Sequence, residues 1–250
     1  MRAHFCINNL HPALAGHFPD NPIVPAALIL EEITEAFFKL FGIQATTLQQ
    51  VRFLLPLKPE KKVTIAFHPC KNHEYRFSCI SGDNIITKGI INSSPVIPEK
   101  AHLEQWPDHC LTSTEGIYQR LPHAGEMCLL SAVTHPKPDT FIAIARSAHS
   151  PLNNNDALLG WSSFEYAAQA FACKGVIHHL HEAPYNHSFQ GTMITRLKAM
   201  RCYKTRSNYI NAPLVTTIKL AEALNHVARC EFRVFYGDNI ISSGQFDAVF

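Results

Sequence analysis

The chain has no large excess of either charge. Among its 250 residues, 22 Lys and Arg stand against 20 Asp and Glu, a net charge of +2. This balance argues against a general nucleic-acid binder, which needs a strongly basic surface. No apolar run approaches the roughly 20 residues of a membrane helix, and the opening stretch MRAHFCINNLHPALAG lacks the apolar core of a signal peptide. The sequence predicts a soluble, cytoplasmic protein with neither a nucleic-acid nor a membrane partner.

Signals for bound cofactors are also missing. The eight cysteines, spread from Cys6 to Cys230, include no C-x-x-C pair. Such spacing is typical of reduced thiols rather than of a disulfide framework or a zinc site. No glycine-rich phosphate-binding motif is present either. We therefore expect no metal and no cofactor, and a core that a chain of this length builds without cross-links.

What the sequence does contain is an internal repeat. Residues 82–89, GDNIITKG, and residues 237–244, GDNIISSG, are identical at six of eight positions. Each stands between alternating apolar runs, which is typical of a strand, a tight turn and a second strand. Residues 27–43 and 158–180 are the longest helix-like stretches, and both are apolar nearly all round, as buried helices are. Several strand-like runs follow each of them.

The repeat predicts two domains of the same design. A segment rich in Pro, Ser and charge separates the copies. We expect an N-terminal domain at residues 1–92, a linker at 93–114 and a C-terminal domain at 115–250. The predicted class is α+β, with two antiparallel sheets that each wrap around one long buried helix.

The residues that carry chemistry surround the first helix. Three prolines between residues 19 and 25 stiffen the loop that leads from His17 into this helix. Glu31 follows 14 residues after His17, within the apolar helix. A carboxyl there resists ionisation and suits a general acid, whereas a loop imidazole suits a general base. Taken singly, a hydrogen-bonded loop histidine and a capped helical glutamate are the alternative interpretations.

Three segments resemble hot-dog-fold β-hydroxyacyl-(acyl carrier protein) dehydratases. Residues 16–31, G-H-F-P-x-x-P-I-V-P-A-x-L-I-L-E, resemble the family's active-site segment H-F-P-G-x-P-x-x-P-G with its helical Glu. Asp20 and Ala26 stand where the family has glycine. Residues 120–130, R-L-P-H-A-G-E-M-C-L-L, resemble its N-terminal L-P-H segment, and residues 164–170, F-E-Y-A-A-Q-A, resemble its helix motif E-A-M-A-Q-A.

The resemblance implies a double hot-dog, a pseudo-dimer within one chain. It is similar to a fusion of the two dehydratase-like subunits of aryl-polyene-type biosynthesis. By this resemblance His17 is the base, and the second half supplies the acid Glu165, with Gln169 on the same helix face. Glu31 and His149 are the candidates for a mirrored site, although His149 lacks the H-F-P context. One working site and one degenerate site are expected.

The implied reaction removes water from a 3-hydroxyacyl thioester on an acyl carrier protein. The product is the trans-2-enoyl thioester of fatty-acid, polyketide or aryl-polyene-type biosynthesis. His17 would remove the C2 proton, and Glu165, protonated, would donate to the leaving C3 hydroxyl. Five basic residues between Arg196 and Arg206, with no acid among them, would attract an acidic carrier protein. A solvated strand face is the alternative for that run, and further homo-oligomerisation stays open.

Two other classes of function stay open. The same fold houses thioesterases and R-specific enoyl-CoA hydratases, but the hydratase motif D-x-N-P-x-H has no match at residues 20–25. The other class is an inactive hot-dog protein that binds an acyl carrier protein. The two replaced glycines favour an inactive partner, whereas the retained His17, Glu165 and Gln169 oppose it.

Overall fold

The structure is a computed structural model. It describes residues 1–97, 99, 111–145, 150–152, 158–182, 193–204, 206–207, 213–224 and 227–249. The elements of the first half are β1 (Arg2–Phe5), α1 (Pro12–Ala15), α2 (Ala26–Phe41), β2 (Thr47–Phe53), β3 (Val63–Pro69), β4 (Glu74–Ser81) and β5 (Asn84–Asn92). Those of the second half are β6 (Thr112–Ser113), α3 (Glu115–Tyr118), a 3₁₀ turn (Gly125–Met127), β7 (Ala132–Lys137), β8 (Thr140–Ala145), β9 (Leu158–Leu159), α4 (Ser163–Glu182), β10 (Met193–Cys202), β11 (Arg206–Ser207), β12 (Leu214–Leu224), β13 (Val227–Tyr236) and β14 (Asn239–Val249).

The strands of both halves form one antiparallel sheet. Its order is β1-β3-β4-β5-β2-β10-β14-β13-β12-β8-β7-β6, so that β2 of the first half lies beside β10 of the second. In this junction Val51 lies opposite Leu197 and Leu48 opposite Met200, all of them fully buried. The two sheets expected from the sequence are therefore joined edge to edge. Counted outward from this junction, β2-β5-β4-β3 of the first half correspond to β10-β14-β13-β12 of the second.

Both repeated G-D-N segments form the expected hairpin turns. Ser81 pairs with Asn84, and Tyr236 pairs with Asn239, so that each loop has two residues. The first loop residue is glycine in both cases, at φ of 59° for Gly82. Backbone in this left-handed region is costly for residues with a Cβ, which explains why glycine recurs at this place.

The first long helix has clear ends in the sequence. α2 begins after Pro25, whose φ of −52° suits a helix start. It ends at Gly42, which adopts φ of 67° and donates its N–H to the carbonyl oxygen of Phe38. One face of α2 is packed into the core, and its largest fully buried side chains are Leu30, Ile33 and Phe37.

The second long helix is buried on nearly every side, as its uniformly apolar sequence predicts. Phe164 packs against Phe53 of β2, which belongs to the other half, and against Phe232 of β13. Phe171, two turns later, packs edge-to-face on Phe246 of β14. Helix α4 is thereby held by strands of both halves. Within the described residues, no helix has the length and hydropathy needed to cross a membrane.

The expected division at residues 1–92, 93–114 and 115–250 stays a prediction. Within the segment expected to be a linker, Thr112 and Ser113 form β6 and pair with β7.

One prediction concerns the packing of β14 against β10. A Cβ at Gly244 would lie 2.3 Å from the carbonyl oxygen of Ala199 and 2.8 Å from the ring of Phe232. We expect Gly244→Ala to lower the free energy of unfolding by about 1–3 kcal/mol, because the strands must separate to accept the methyl group. The matched control is Gly116→Ala, where a Cβ meets nothing within 4 Å. Urea denaturation of both variants measures the difference, and equal midpoints would contradict the packing argument.

Candidate active site

A short antiparallel bridge joins the loop before α2 to the segment after α3. The N–H of Phe18 donates to the carbonyl oxygen of Pro122 at 2.9 Å, and the N–H of Ala124 donates to that of Gly16 at 2.9 Å. A Cβ at Gly16 would lie 2.0 Å from the Ala124 carbonyl oxygen. The two segments can approach this closely only because residue 16 is glycine.

The residues paired by this bridge are His17 and His123. Their ring centroids lie 5.3 Å apart. The Nδ1 of His17 lies 2.7 Å from the carbonyl oxygen of Ile23. Since a carbonyl only accepts, Nδ1 carries the hydrogen, and Nε2 is the basic nitrogen of the neutral ring. The proline-stiffened loop thus fixes both the orientation and the tautomer of His17.

The carboxylate of Glu165, from the second half, lies close to both histidines. It lies in the first turn of α4 and is only 4% exposed. Its Oε1 is 3.9 Å from Nε2 of His17 and 3.5 Å from Nε2 of His123. The structure therefore brings together His17 of the first half with His123 and Glu165 of the second half. All three residues belong to one chain, so the site needs no second subunit.

A buried chain of hydrogen bonds holds the Glu165 carboxylate from its other side. The side-chain N–H of Gln169, one helical turn later, donates to Glu165 Oε1 at 3.1 Å. The Oε1 of Gln169 accepts from the Tyr118 hydroxyl at 2.7 Å and from the N–H of Leu129 at 3.2 Å. The N–H of Leu130 in turn donates to the Tyr118 hydroxyl. These bonds fix which end of the Gln169 amide faces Glu165.

Burial and charge set the ionisation of the site. Burial lowers the pKa of His17 below its ordinary value by more than the nearby carboxylate raises it, so the imidazole is neutral near pH 7. Burial alone would raise the pKa of Glu165, but the contacts with the imidazoles of His123 and His17 outweigh it and lower this pKa to about 2. The carboxylate form is therefore favoured in the free site, and a protonated Glu165 as the acid of the reaction stays a prediction.

An apolar cavity of about 190 Å³ opens onto these three side chains. Its wall includes Ala26 at the start of α2 and otherwise consists mainly of apolar groups, among them Ile29, Phe53, Leu57, Ala168 and Ile194. Leu54, Leu55 and Met193 also line it and are substantially exposed. The cavity thus offers an apolar passage from the surface to the histidines and the carboxylate.

Glu31, the acid of the predicted mirrored site, has a different environment. Its Oε1 accepts the backbone N–H of Ser162 at 2.8 Å, just before α4 begins. Burial raises the pKa of Glu31 to about 8, despite hydrogen bonds from Ser162 that lower it. Its resistance to ionisation agrees with the sequence analysis. In the part of the chain that the structure describes, no ion pair joins Glu31 to a histidine, and His149 lies outside the described residues.

The sequence analysis missed the role of His123. The available signal was the L-P-H segment at residues 120–130, which carried a family resemblance but was given no chemical role. Spacing along the chain does not bring this residue to Glu165, because the contact depends on the backbone bridge between the two halves. Tyr118 was missed for a similar reason, since its hydroxyl reaches Gln169 only in the folded chain.

Two family models match the chain, one in each half. The ApeI-like family, described as ApeI dehydratase, matches residues 1–90, and the ApeP-like family, described as ApeP dehydratase, matches residues 116–247, more than half of the chain. The chain belongs to these dehydratase families. It carries the ApeI-like part first and the ApeP-like part second. Among curated protein sequences, none matches this tandem dehydratase significantly.

Solved structures resemble the tandem dehydratase over its whole length. The dehydratase domain of RzxB from Pseudomonas fluorescens is 13% identical with a TM-score of 0.77, covering 99% of this chain and 93% of that one. The dehydratase domain of a mycocerosic acid synthase-like polyketide synthase is 10% identical with a TM-score of 0.74, covering 100% and 90%. That of PpsC from Mycobacterium tuberculosis, in complex with C12:1-CoA, is 11% identical with a TM-score of 0.74, covering 99% and 92%.

These findings confirm four of the predictions. The family matches confirm the predicted tandem of dehydratase units and the enzyme class, a hydro-lyase. The structural likeness, at identities that inform on fold only, confirms the double hot-dog. The predicted reaction class, dehydration of a 3-hydroxyacyl thioester of polyketide or aryl-polyene type, agrees with the family.

The hydrogen-bond chain behind Glu165 yields a prediction for Tyr118→Phe. Without the hydroxyl, Gln169 loses its shortest bond and the Leu130 N–H loses its acceptor. We expect kcat to fall about tenfold with KM nearly unchanged, which corresponds to one buried hydrogen bond. Steady-state kinetics measure this. Tyr75→Phe, in an aromatic cluster with Phe37 and Phe41 of α2, is the control and should keep wild-type kinetics. Equal loss in both variants would contradict a specific role for Tyr118.

The buried Glu31 predicts a pH dependence of stability. The folded state keeps the proton of Glu31 up to about pH 8, whereas the unfolded chain releases it near pH 4.5. Protonation therefore favours folding in this window, and stability falls as the pH rises through it, by at most about 1.4 kcal/mol per pH unit. Glu31→Gln, a neutral isostere that keeps an acceptor for Ser162, should remove this contribution. Denaturant unfolding at pH 5 and pH 8 measures it, and parallel pH profiles for the two proteins would disprove it.

Proposed function

We propose that this protein dehydrates a 3-hydroxyacyl thioester carried by the phosphopantetheine arm of an acyl carrier protein. The products are the trans-2-enoyl thioester and water, formed at one site shared by the two halves. The observation that carries the proposal is the approach of a tautomer-fixed His17 to the buried carboxylate of Glu165, at 3.9 Å, on the wall of an apolar cavity. An acid and a base on either side of a substrate are what elimination of water requires.

His17 is the base of the proposed reaction. Its Nε2 takes the C2 proton, which the adjacent thioester carbonyl makes acidic. The hydrogen bond to Ile23 keeps the ring in place throughout. The low pKa of His17 keeps Nε2 free of a proton before the reaction begins. The C–H electron pair becomes the second bond between C2 and C3, and the C3–O bond breaks.

Glu165, protonated once the substrate is bound, delivers the proton that converts the departing hydroxyl into water. Gln169 and Tyr118 hold its carboxylate in position, so both act through Glu165 rather than on the substrate. When water has left, the proton on His17 returns to the Glu165 side of the site, and the cycle closes without any external reagent. Losing either His17 or Glu165 removes one partner of a proton transfer that is worth roughly 10²–10⁴-fold.

The start of α2 is suited to binding the thioester carbonyl oxygen. Among the described residues no side chain caps this N-terminus, and its first residue, Ala26, lines the cavity. The free N–H groups and the helix dipole favour an oxygen that gains negative charge. The start of α4 differs, because Glu31 already occupies the N–H of Ser162. This contrast supports one working site rather than two.

The cavity supports an acyl thioester as the substrate. Its wall is apolar along Ile29, Phe53 and Leu57, which suits an alkyl or polyene chain. The dehydratase domain of PpsC, which shares the fold, has a solved structure in complex with C12:1-CoA, an acyl thioester. The chemical class of ligand thus has a precedent in this fold, and we extend it to the present chain as part of the proposal.

Basic residues near the cavity support a carrier protein as the partner. Arg52 lies opposite Lys88 of β5 and opposite Arg196 of β10, so the three side chains share one face of the sheet. Arg52 and Lys88 are exposed. Arg52 directly precedes the cavity residue Phe53, and Arg196 follows the cavity residue Ile194 by two residues. An acidic carrier protein gains a favourable field there.

Mass spectrometry of 3-hydroxyacyl-carrier-protein substrates tests the proposal. We expect the wild type to remove one water, and His17→Ala or Glu165→Ala to slow this at least about 100-fold. Glu31→Gln is the matched control, a buried helical glutamate outside the proposed site, and should retain activity. Carrier-protein binding without water loss, across short, long and polyene chains, would favour an inactive partner instead. Release of the free acid would identify a thioesterase.

A further inference from the structure

We propose that His17, His123 and Glu165 together bind a zinc ion, and that zinc bound there inhibits the enzyme. The metal is an inhibitory ligand of the site and takes no part in the dehydration. This inference goes beyond the proposed function, although it concerns the same region of the molecule, because zinc binding is measurable without any substrate.

The three side chains offer a donor set that zinc prefers. Zinc in proteins binds imidazole nitrogen and carboxylate oxygen, and two histidines with one glutamate and a water form one established kind of zinc site. One ligand atom of each of the three residues lies within 4.8 Å of the ligand atoms of the other two. Within the described residues, no other three His, Cys, Asp or Glu side chains bring their ligand atoms so close together.

The distances fit a tetrahedral ion after a small movement. Zinc bonds of about 2.0–2.2 Å to nitrogen and oxygen place the ligand atoms of a tetrahedral site roughly 3.3–3.5 Å apart. Oε1 of Glu165 lies 3.5 Å from Nε2 of His123, which meets this value, and 3.9 Å from Nε2 of His17. A side-chain shift of about 0.5 Å therefore closes the remaining gap between Glu165 and His17.

Hydrogen bonds behind two of the side chains already have the form that surrounds a bound metal. A histidine that binds a metal usually donates its other ring N–H to a carbonyl or carboxylate oxygen, and Nδ1 of His17 donates to Ile23 at 2.7 Å. The amide of Gln169 holds the Glu165 carboxylate at 3.1 Å. Nδ1 of His123 has no hydrogen-bond partner among the described residues. No bond to Nδ1 thus prevents the His123 ring from turning Nε2 towards a metal.

The site is shielded from bulk water but open to the cavity. The side chains of His17 and His123 are each 9% exposed, and that of Glu165 is 5% exposed, so little water competes for the three ligand atoms. All three residues line the apolar cavity that leads to the surface. The cavity therefore gives the ion a path into the site and leaves room for a water molecule as the fourth ligand.

Zinc at this place occupies both groups that the proposed dehydration uses. Coordination takes the electron pair of His17 Nε2, which would otherwise accept the C2 proton. Because ligands bind zinc in their deprotonated form, the Glu165 carboxylate then has no proton to give to the leaving hydroxyl. Inhibition is therefore competitive with the substrate, and a chelator reverses it.

Calorimetric titration of the full chain with Zn²⁺, after treatment with a chelator and without substrate, tests the inference. We expect His17→Ala, His123→Ala and Glu165→Gln each to weaken the tightest zinc binding at least about 100-fold, because changes even behind the ligands cost about 10–100-fold. Glu31→Gln is the matched control, since Glu31 is a buried helical glutamate that faces a backbone amide. It should bind zinc like the wild type. Mg²⁺ should not bind at this site, because it prefers oxygen ligands.

Wild-type zinc affinity in all three variants would overturn the inference, because the ion would then lie elsewhere on the protein. If the variants do not fold, X-ray absorption of the zinc-loaded wild type decides. We expect only nitrogen and oxygen around the metal, and a sulfur ligand would place zinc on a cysteine and contradict the assignment.

Dehydration assays with Zn²⁺ test the inhibition itself. We expect activity to disappear as the site fills and to return when a chelator is added. Full activity of the zinc-saturated protein would refute an inhibitory ion. Failure of the proposed function is distinguishable, since a wild type that dehydrates no substrate but loses its zinc affinity in the three variants would leave the metal site standing.

Discussion

The site depends on two backbone hydrogen bonds between segments that lie a hundred residues apart. They pair residues 16–18 with residues 122–124 and set the imidazoles of His17 and His123 side by side. The absence of a Cβ at Gly16 permits this contact. Helix α4 then needs only to present Glu165 from its first turn to meet both rings. A small backbone contact thus positions three ionisable groups that come from distant parts of the chain.

The two long helices differ in the polar groups that surround their N-termini. At the start of α2 the first residue, Ala26, lines the cavity, as does Glu165, which comes from the other helix. At the start of α4 the corresponding N–H of Ser162 is already bonded to Glu31 of α2. One glutamate is ionised among histidines, and the other keeps its proton beside a backbone amide. The two helical glutamates therefore differ in chemistry because their nearest polar neighbours differ.

Much of this fold follows from local pattern. The uniformly apolar helices and the repeated G-D-N turns depend on short-range rules of burial and φ, so the sequence predicts them well. The edge-to-edge join of β2 with β10 is not predictable in this way, since it pairs strands from different halves. The role of His123 and the ionisation of Glu165 depend on the same long-range assembly. Motif spacing identifies His17 and Glu165 as candidates, but only the three-dimensional contacts show what surrounds them.

The joining of both halves in one polypeptide has a consequence for dilution. A site divided between separate subunits disappears when the subunits dissociate, because each takes away half of the required side chains. In this chain the continuous sheet and the covalent connection make the encounter intramolecular, with an effective concentration that does not depend on how much protein is present. The unlike halves are also always present in equal number, so no half is ever assembled with a copy of itself by chance within the molecule.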